Sequence, residues 1–223
     1  MPSSKKRTRH WRAMFAAALL SALSVALITG CDRASTDEIT LITDMLGVRD
    51  GMNVADVGAG DGVLLPYLAA LVGPNGHVYA TEIDRENLDR IQALATGSGL
   101  TQIVAVQGTP EATGLDANCC DAIVTRMVYH HLTNPDAFVE SLHQSLKSGG
   151  RLLIIDFQPS LAMASSTPEN LPEDRGGHGI TPELVISEVT ARGFRLDQRH
   201  DNWPGPGRFV LDHFALLFTA TAS

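Results

Sequence analysis

Three glycines at alternate positions, Gly58, Gly60 and Gly62, follow directly on the apolar stretch Asn53-Val54-Ala55-Asp56-Val57. A strand ending in such a turn lets the backbone come close to a ligand, because glycine leaves room and reaches conformations that a side chain denies. That is the chemistry of a nucleotide-like cofactor site. The spacing is not the dinucleotide fingerprint, whose third glycine would fall at Val63, so hydride transfer from a nicotinamide or flavin is disfavoured. Glu82 stands 20 residues beyond Gly62 at the end of another apolar stretch, where a carboxylate can accept both hydroxyls of a ribose; a solvated strand-end acid is the plainer alternative. Asp56 sits inside an apolar strand, where an unpaired carboxylate is costly. It serves either a ligand or the local hydrogen bonding.

A second reactive group, Tyr129-His130-His131, follows the apolar segment ending at Thr125. Imidazole titrates near neutrality and can take a proton from an acceptor hydroxyl or amine; equally, one of the two rings can pack under the Asn134-Pro135 turn. His178, in Gly176-Gly177-His178-Gly179, either completes a pocket or is solvated. No ligand spacing supports a metal held by His130, His131, Asp156 and His178, so none is expected. Cys119 and Cys120 are adjacent, which seldom suits a disulfide, and read as two partly buried thiols.

Elements must hold these groups in place. Ser35-Thr36-Asp37-Glu38 has the form of a capping box, and Ile39, Ile42 and Leu46 then share a helical face that ends at Gly47, predicting a small helix able to cover a cofactor. Strand 53–57 leads to a helix over 63–72, strand 77–83 to a helix capped by Asp84, and strand 103–107 through a loop to strand 122–125. Asn134-Pro135 opens a helix with the stripe Phe138, Val139, Leu142 and Leu146, stopping at Gly149-Gly150. Strand 151–157 is continuously apolar at 152–155, as in a parallel sheet covered on both faces. Residues 158–180 lapse into a proline- and glycine-rich, lid-like loop. A helix from Thr181-Pro182, strand 194–200 and strand 209–219 complete the pattern, the last two close enough to run antiparallel. Trp203 either lines an acceptor site or packs this hairpin. Strands alternating with helices imply a doubly wound α/β domain.

The 223 residues fit one globular domain plus an extension at the front. Lys5, Lys6, Arg7, Arg9 and Arg12 precede an apolar run from Ala13 to Ile28, too short for a comfortable membrane helix of about 20 residues. The run ends in Ile28-Thr29-Gly30-Cys31, which resembles the bacterial lipobox. That resemblance implies a signal peptide over 1–30, cleaved before a lipidated Cys31, with residues 31–50 as tether and helix; an uncleaved anchor is the alternative. Either arrangement places the domain on the periplasmic side of the bacterial cell envelope, held at the membrane. The leader carries 5 of the 17 Lys and Arg and no acid, so the remainder has 12 basic against 25 acidic residues. Nucleic acid is therefore a poor candidate partner, since phosphate contacts need a basic face.

Residues from about 50 to 219 resemble the class I S-adenosylmethionine-dependent methyltransferases. Val54–Gly62 matches that family's first motif, Tyr79–Asp84 the acidic end of its second strand, Asp121–Val124 its fourth strand and Lys147–Asp156 its fifth. Tyr129-His130-His131-Leu132 is similar to the small-molecule branch that includes quinone-biosynthesis enzymes. The resemblance implies a Rossmann-like seven-stranded sheet over 51–223 in the order 3-2-1-4-5-7-6, strand 7 antiparallel, with S-adenosylmethionine as co-substrate. It implies a cofactor site of Asp56, Gly58, Gly60, Gly62, Glu82, Ile83, Thr109 and Arg126, with Tyr129, His130 and His131 towards a small-molecule acceptor. Ile83 either flanks adenine and ribose or belongs to the core. The acid that often meets the adenine is replaced by Gly108-Thr109-Pro110-Glu111, so a backbone amide or the Thr109 hydroxyl takes that contact. The expected function is methyl transfer to a small acceptor by a protein tethered outside the cytoplasm. The alternative is a non-catalytic lipoprotein of the same fold that binds ligands or serves as a scaffold.

Overall fold

A computed structural model describes residues 34–160, 178–205 and 211–222. The leader with Cys31, most of the 158–180 loop, and residues 206–210, among them the expected strand residues Phe209 and Val210, lie outside the described residues.

Seven strands form a single sheet: β1 (Asn53–Val57), β2 (His77–Glu82), β3 (Ile103–Gln107), β4 (Cys120–Arg126), β5 (Leu146–Phe157), β6 (Phe194–Asp201) and β7 (His213–Ala220). Their order is β3-β2-β1-β4-β5-β7-β6. β1 to β5 pair in parallel, and β7 runs antiparallel to both β5 and β6. The expected Rossmann-like sheet with a reversed seventh strand is the observed one. β1 and β4, side by side, lie where the strand order turns back, which in such sheets is where ligands bind, beyond the carboxyl ends of the strands.

Helices cover both faces because the central strands are apolar on both. On one face Val54, Ala122, Val124, Leu153 and Ile155 pack with α1 (Thr36–Leu46), α2 (Leu65–Val72) and α3 (Arg85–Ser98). On the other, Ala55, Val57, Ile123, Leu152 and Ile154 pack with α4 (Pro135–Ser145) and α5 (Pro182–Thr190). Alternation along each strand makes this division. Ser35 caps α1 by accepting from the Glu38 amide at 3.0 Å, and Asp84 caps α3 by accepting from the Glu86 and Asn87 amides at 2.8 and 3.1 Å. Among the described residues, no helix is long and apolar enough to cross a membrane.

Several strand ends shift by a residue or more, and two helix boundaries differ from expectation for a clear reason. α2 begins at Leu65 because residues 60–64 are spent on the turn, where the Leu65 amide donates to the Gly62 carbonyl at 3.1 Å. α4 ends at Ser145 and β5 starts at Leu146. The pairing of β5 with β4 then shifts, from Cys120 opposite Leu146 to Ala122 opposite Arg151. The Gly149-Gly150 pair therefore sits in this irregularity of the strand, and Gly149 takes a left-handed φ of 76°.

Candidate functional site

The three glycines of the turn do different work. A Cβ on Gly58 would stand 2.4 Å from Cγ2 of Val128, and one on Gly62 would stand 2.9 Å from Leu65. Both glycines thus permit close packing inside the protein. Gly60, at φ 56°, has nothing within 4 Å of that position, so it alone presents open backbone to a ligand.

Glu82 ends β2 beside this turn and ties it down. Oε1 accepts from the Gly60 amide at 3.0 Å, while Oε2 accepts from the Ile83 and Asp84 amides at 2.9 and 3.2 Å. A carboxylate has about four lone-pair sites, so three are engaged and a bidentate ribose contact would share or displace them. Ile83 is 61% exposed, which removes its core reading and leaves an apolar face at the cleft. Thr109 is held in its own turn, its hydroxyl oxygen accepting from the Glu111 and Ala112 amides at 3.3 and 3.1 Å. Gln107 escaped the sequence reading; its side-chain amide donates to the carbonyls of Glu82, Ile83 and Gly108 at 3.0–3.2 Å and joins the ends of β2 and β3.

Asp56 is buried in β1, and that burial pushes its carboxyl up from 3.8 to about 7. The Arg126 guanidinium pulls the other way, and the charges of Glu82 and Asp61 add to the rise. Arg126 does not stand free for a ligand. Its Nε and Nη2 donate to the two carboxylate oxygens of Glu38 at 2.9 and 3.2 Å, in a pair nearly closed to solvent. This corrects the capping-box reading of Glu38, whose side chain turns inward. The residue lies on the same helical face as Ile42 and Leu46, a charge in an apolar stripe, which was the signal available in the sequence. Trp203 donates its indole N–H to the same carboxylate at 3.2 Å and is buried; it packs against α1.

Beyond β4 the chain reverses at Met127, whose φ of 61° is unusual for a side chain of its size. This turn lays Val128 against Gly58 and starts the short 3₁₀ turn Tyr129–His131. Tyr129 is buried in the core, its hydroxyl donating to Glu188 at 2.8 Å, which removes it from the cleft and from a catalytic role. His130 is 2% exposed. Its amide donates to Asp156 Oδ2 at 3.0 Å and its Nδ1 lies 2.7 Å from Oδ1. His131 keeps an exposed edge, yet desolvation on its inner side, followed by the neighbouring His130, lowers it to about 4, so it is neutral at physiological pH. His178 joins them, with its ring centroid 5.1 Å from that of His130 and 5.9 Å from that of His131.

His213, also missed, is buried, and desolvation lowers its pKa. Its Nδ1 lies 3.0 Å from the Leu211 carbonyl, while Nε2 has no partner among the described residues, as is true of the Thr125 hydroxyl. Buried polar atoms without partners are what a bound ligand or water satisfies.

The architecture, with its glycine turn, acidic strand end and reversed last strand, is the class I methyltransferase fold. Residues 55–154 match the family described as a methyltransferase domain. A SAM dependent methyltransferase from Aquifex aeolicus superposes with a TM-score of 0.66 over 83% of this chain and 90% of its own, at 24% identity. The [4+2]-cyclase SpnF superposes with a TM-score of 0.68 over 87% of each chain, at 12% identity, so the fold by itself does not assign the reaction. In sequence, the chain is 34% identical over 116 residues to the ubiquinone/menaquinone biosynthesis C-methyltransferase UbiE of Hahella chejuensis, covering 51% of this chain and 46% of the relative. The chain spans about half the length of the curated relatives it matches.

Proposed function

We propose that this protein is an S-adenosylmethionine-dependent methyltransferase acting on a small acceptor, held outside the cytoplasm through a lipid on Cys31. The observation that carries the methyltransferase reading is the convergence of open Gly60, Glu82 and buried Asp56 on the ends of neighbouring strands. These residues fit the donor. Gly60 admits it to the backbone, Glu82 offers its remaining lone-pair capacity to the ribose, and ionised Asp56 offers negative charge to the ammonium of the methionine part.

When bound, S-adenosylmethionine supplies a methyl group already activated on a sulfonium. The chain's task is then mainly proximity and alignment. Glu82 and Gln107 hold the turn and the strand ends rigid. Ile83 offers an apolar flank at the rim. Asp156 orients the His130 ring. The relatives named for ubiquinone and menaquinone biosynthesis support an apolar acceptor, consistent with an enzyme kept at a lipid surface by Cys31.

Calorimetric titration with S-adenosylmethionine and with its demethylated product tests the reading directly. Binding of both is expected, and no heat at high protein concentration sinks it.

A further inference from the structure

Three imidazoles meet where β4 and β5 end. The nitrogens that His130, His131 and His178 can offer all lie within 4.8 Å of one another, and the His130 and His131 ring centroids are 3.9 Å apart. We propose that these three histidines form a binding site for a first-row divalent cation, zinc being the reference ion, with Asp156 orienting His130.

Imidazole nitrogens suit zinc, copper, nickel and iron, whereas magnesium and calcium seek oxygen. Asp156 is fully buried, and its oxygens are taken by the His130 amide, His130 Nδ1 and the Phe157 amide at 3.0, 2.7 and 2.9 Å. It is therefore an orienting group and not a fourth ligand. Its contact to Nδ1 keeps the proton there and leaves Nε2 as a lone pair, which is the carboxylate–histidine arrangement typical of metal-ligating histidines.

The backbone holds the other two rings near this one. His131 follows His130 in the 3₁₀ turn that the Met127 reversal sets against Gly58. His178 is fixed from the opposite side: the Ile180 amide donates to the Phe157 carbonyl at 2.9 Å, and Ile180 is fully buried. Gly179, at φ 111°, passes so near the strand end that a Cβ there would lie 2.8 Å from the Gln158 carbonyl oxygen. The His178 ring rests edge-on against Phe157, centroid to centroid 5.4 Å. Tetrahedral ligation at about 2.0–2.1 Å separates ligand nitrogens by roughly 3.4 Å. The nitrogens that lie within 4.8 Å of one another need close by at most about 1.4 Å to reach that spacing. Three neutral ligands leave a fourth position to water or to an oxygen of a small molecule.

Metal binding is read without methyl donor or acceptor. The full chain, purified in detergent and stripped with chelator, is titrated with Zn²⁺ against a chromogenic chelator. Co²⁺ absorption then reports the ligand type. One ion per chain is expected, with no cobalt–sulfur charge-transfer band from Cys119 or Cys120. His131→Ala and His178→Ala should each weaken Zn²⁺ by about tenfold or more and abolish its effect on the melting temperature. His77→Ala, an exposed histidine on β2, should change nothing. Absence of stoichiometric binding, a sulfur band, or wild-type affinity in both variants overturns the proposal. A failure here leaves the donor titration untouched.

Discussion

Replacing Asp56 by Asn should make the ligand-free protein more stable and the donor bind less well. With its carboxyl raised from 3.8 to about 7 by burial, the folded protein binds a proton more tightly than the unfolded chain. Stability is therefore greatest below the unfolded value, falls as pH rises from about 4 to about 7, and is level above that. Asn mimics the protonated form, so the variant's advantage is absent near pH 4 and complete above about pH 7. At 1.36 kcal/mol per pH unit the shift corresponds to a ceiling of roughly 4 kcal/mol. Water entering the cleft reduces the cost of the charge, and about half that gain is expected in urea unfolding near pH 8. Binding runs the other way. Ionised Asp56 attracts the ligand's ammonium, so wild-type affinity for S-adenosylhomocysteine should rise towards tenfold per pH unit below about 7 and level off above it. The variant should bind more weakly without that dependence. A variant no more stable than wild type near pH 8, or a flat wild-type affinity across neutrality, refutes the reasoning.

Four other outcomes follow from the same geometry. Glu82→Ala should weaken S-adenosylhomocysteine by roughly 1.5–3 kcal/mol in calorimetry, through lost charged hydrogen bonds; unchanged affinity would misplace the ribose. Glu38→Ala leaves the Arg126 guanidinium buried without its partner and should cost about 3–5 kcal/mol of unfolding free energy, read from denaturant midpoints. Gly58→Ala drives a methyl into Val128 at a left-handed φ and should cost about 1–3 kcal/mol. In the double variant with Val128→Ala the steric part should be recovered and the backbone part should remain. Cys31→Ala should abolish incorporation of a labelled fatty acid, and a persistent label would refute the lipobox.

The alternation of strands and helices, the reversed final strand and the glycine turn with Glu82 were all legible in the sequence. Hydrophobic periodicity, caps and turn residues are local and mark the elements, while the order of the strands was implied by the resemblance to the methyltransferase family. Charges in buried places were harder to read. Glu38 satisfied a capping box and also lay on an apolar stripe, and only packing decided that its carboxylate would turn to Arg126. Tyr129 stood beside two histidines in sequence, yet the 3₁₀ turn sends it into the core and the His130 side chain to Asp156 on β5. The sequence by itself determined the alternating strands and helices and the glycine turn at a strand end, because those depend on side-chain period and glycine geometry. Only the tertiary structure decided which glycine of the turn is left with open space around it and that His178 meets His130 and His131. Those facts depend on how closely backbones from distant segments approach, at Val128 over Gly58 and at Gly179 over Gln158, a distance that no local pattern encodes.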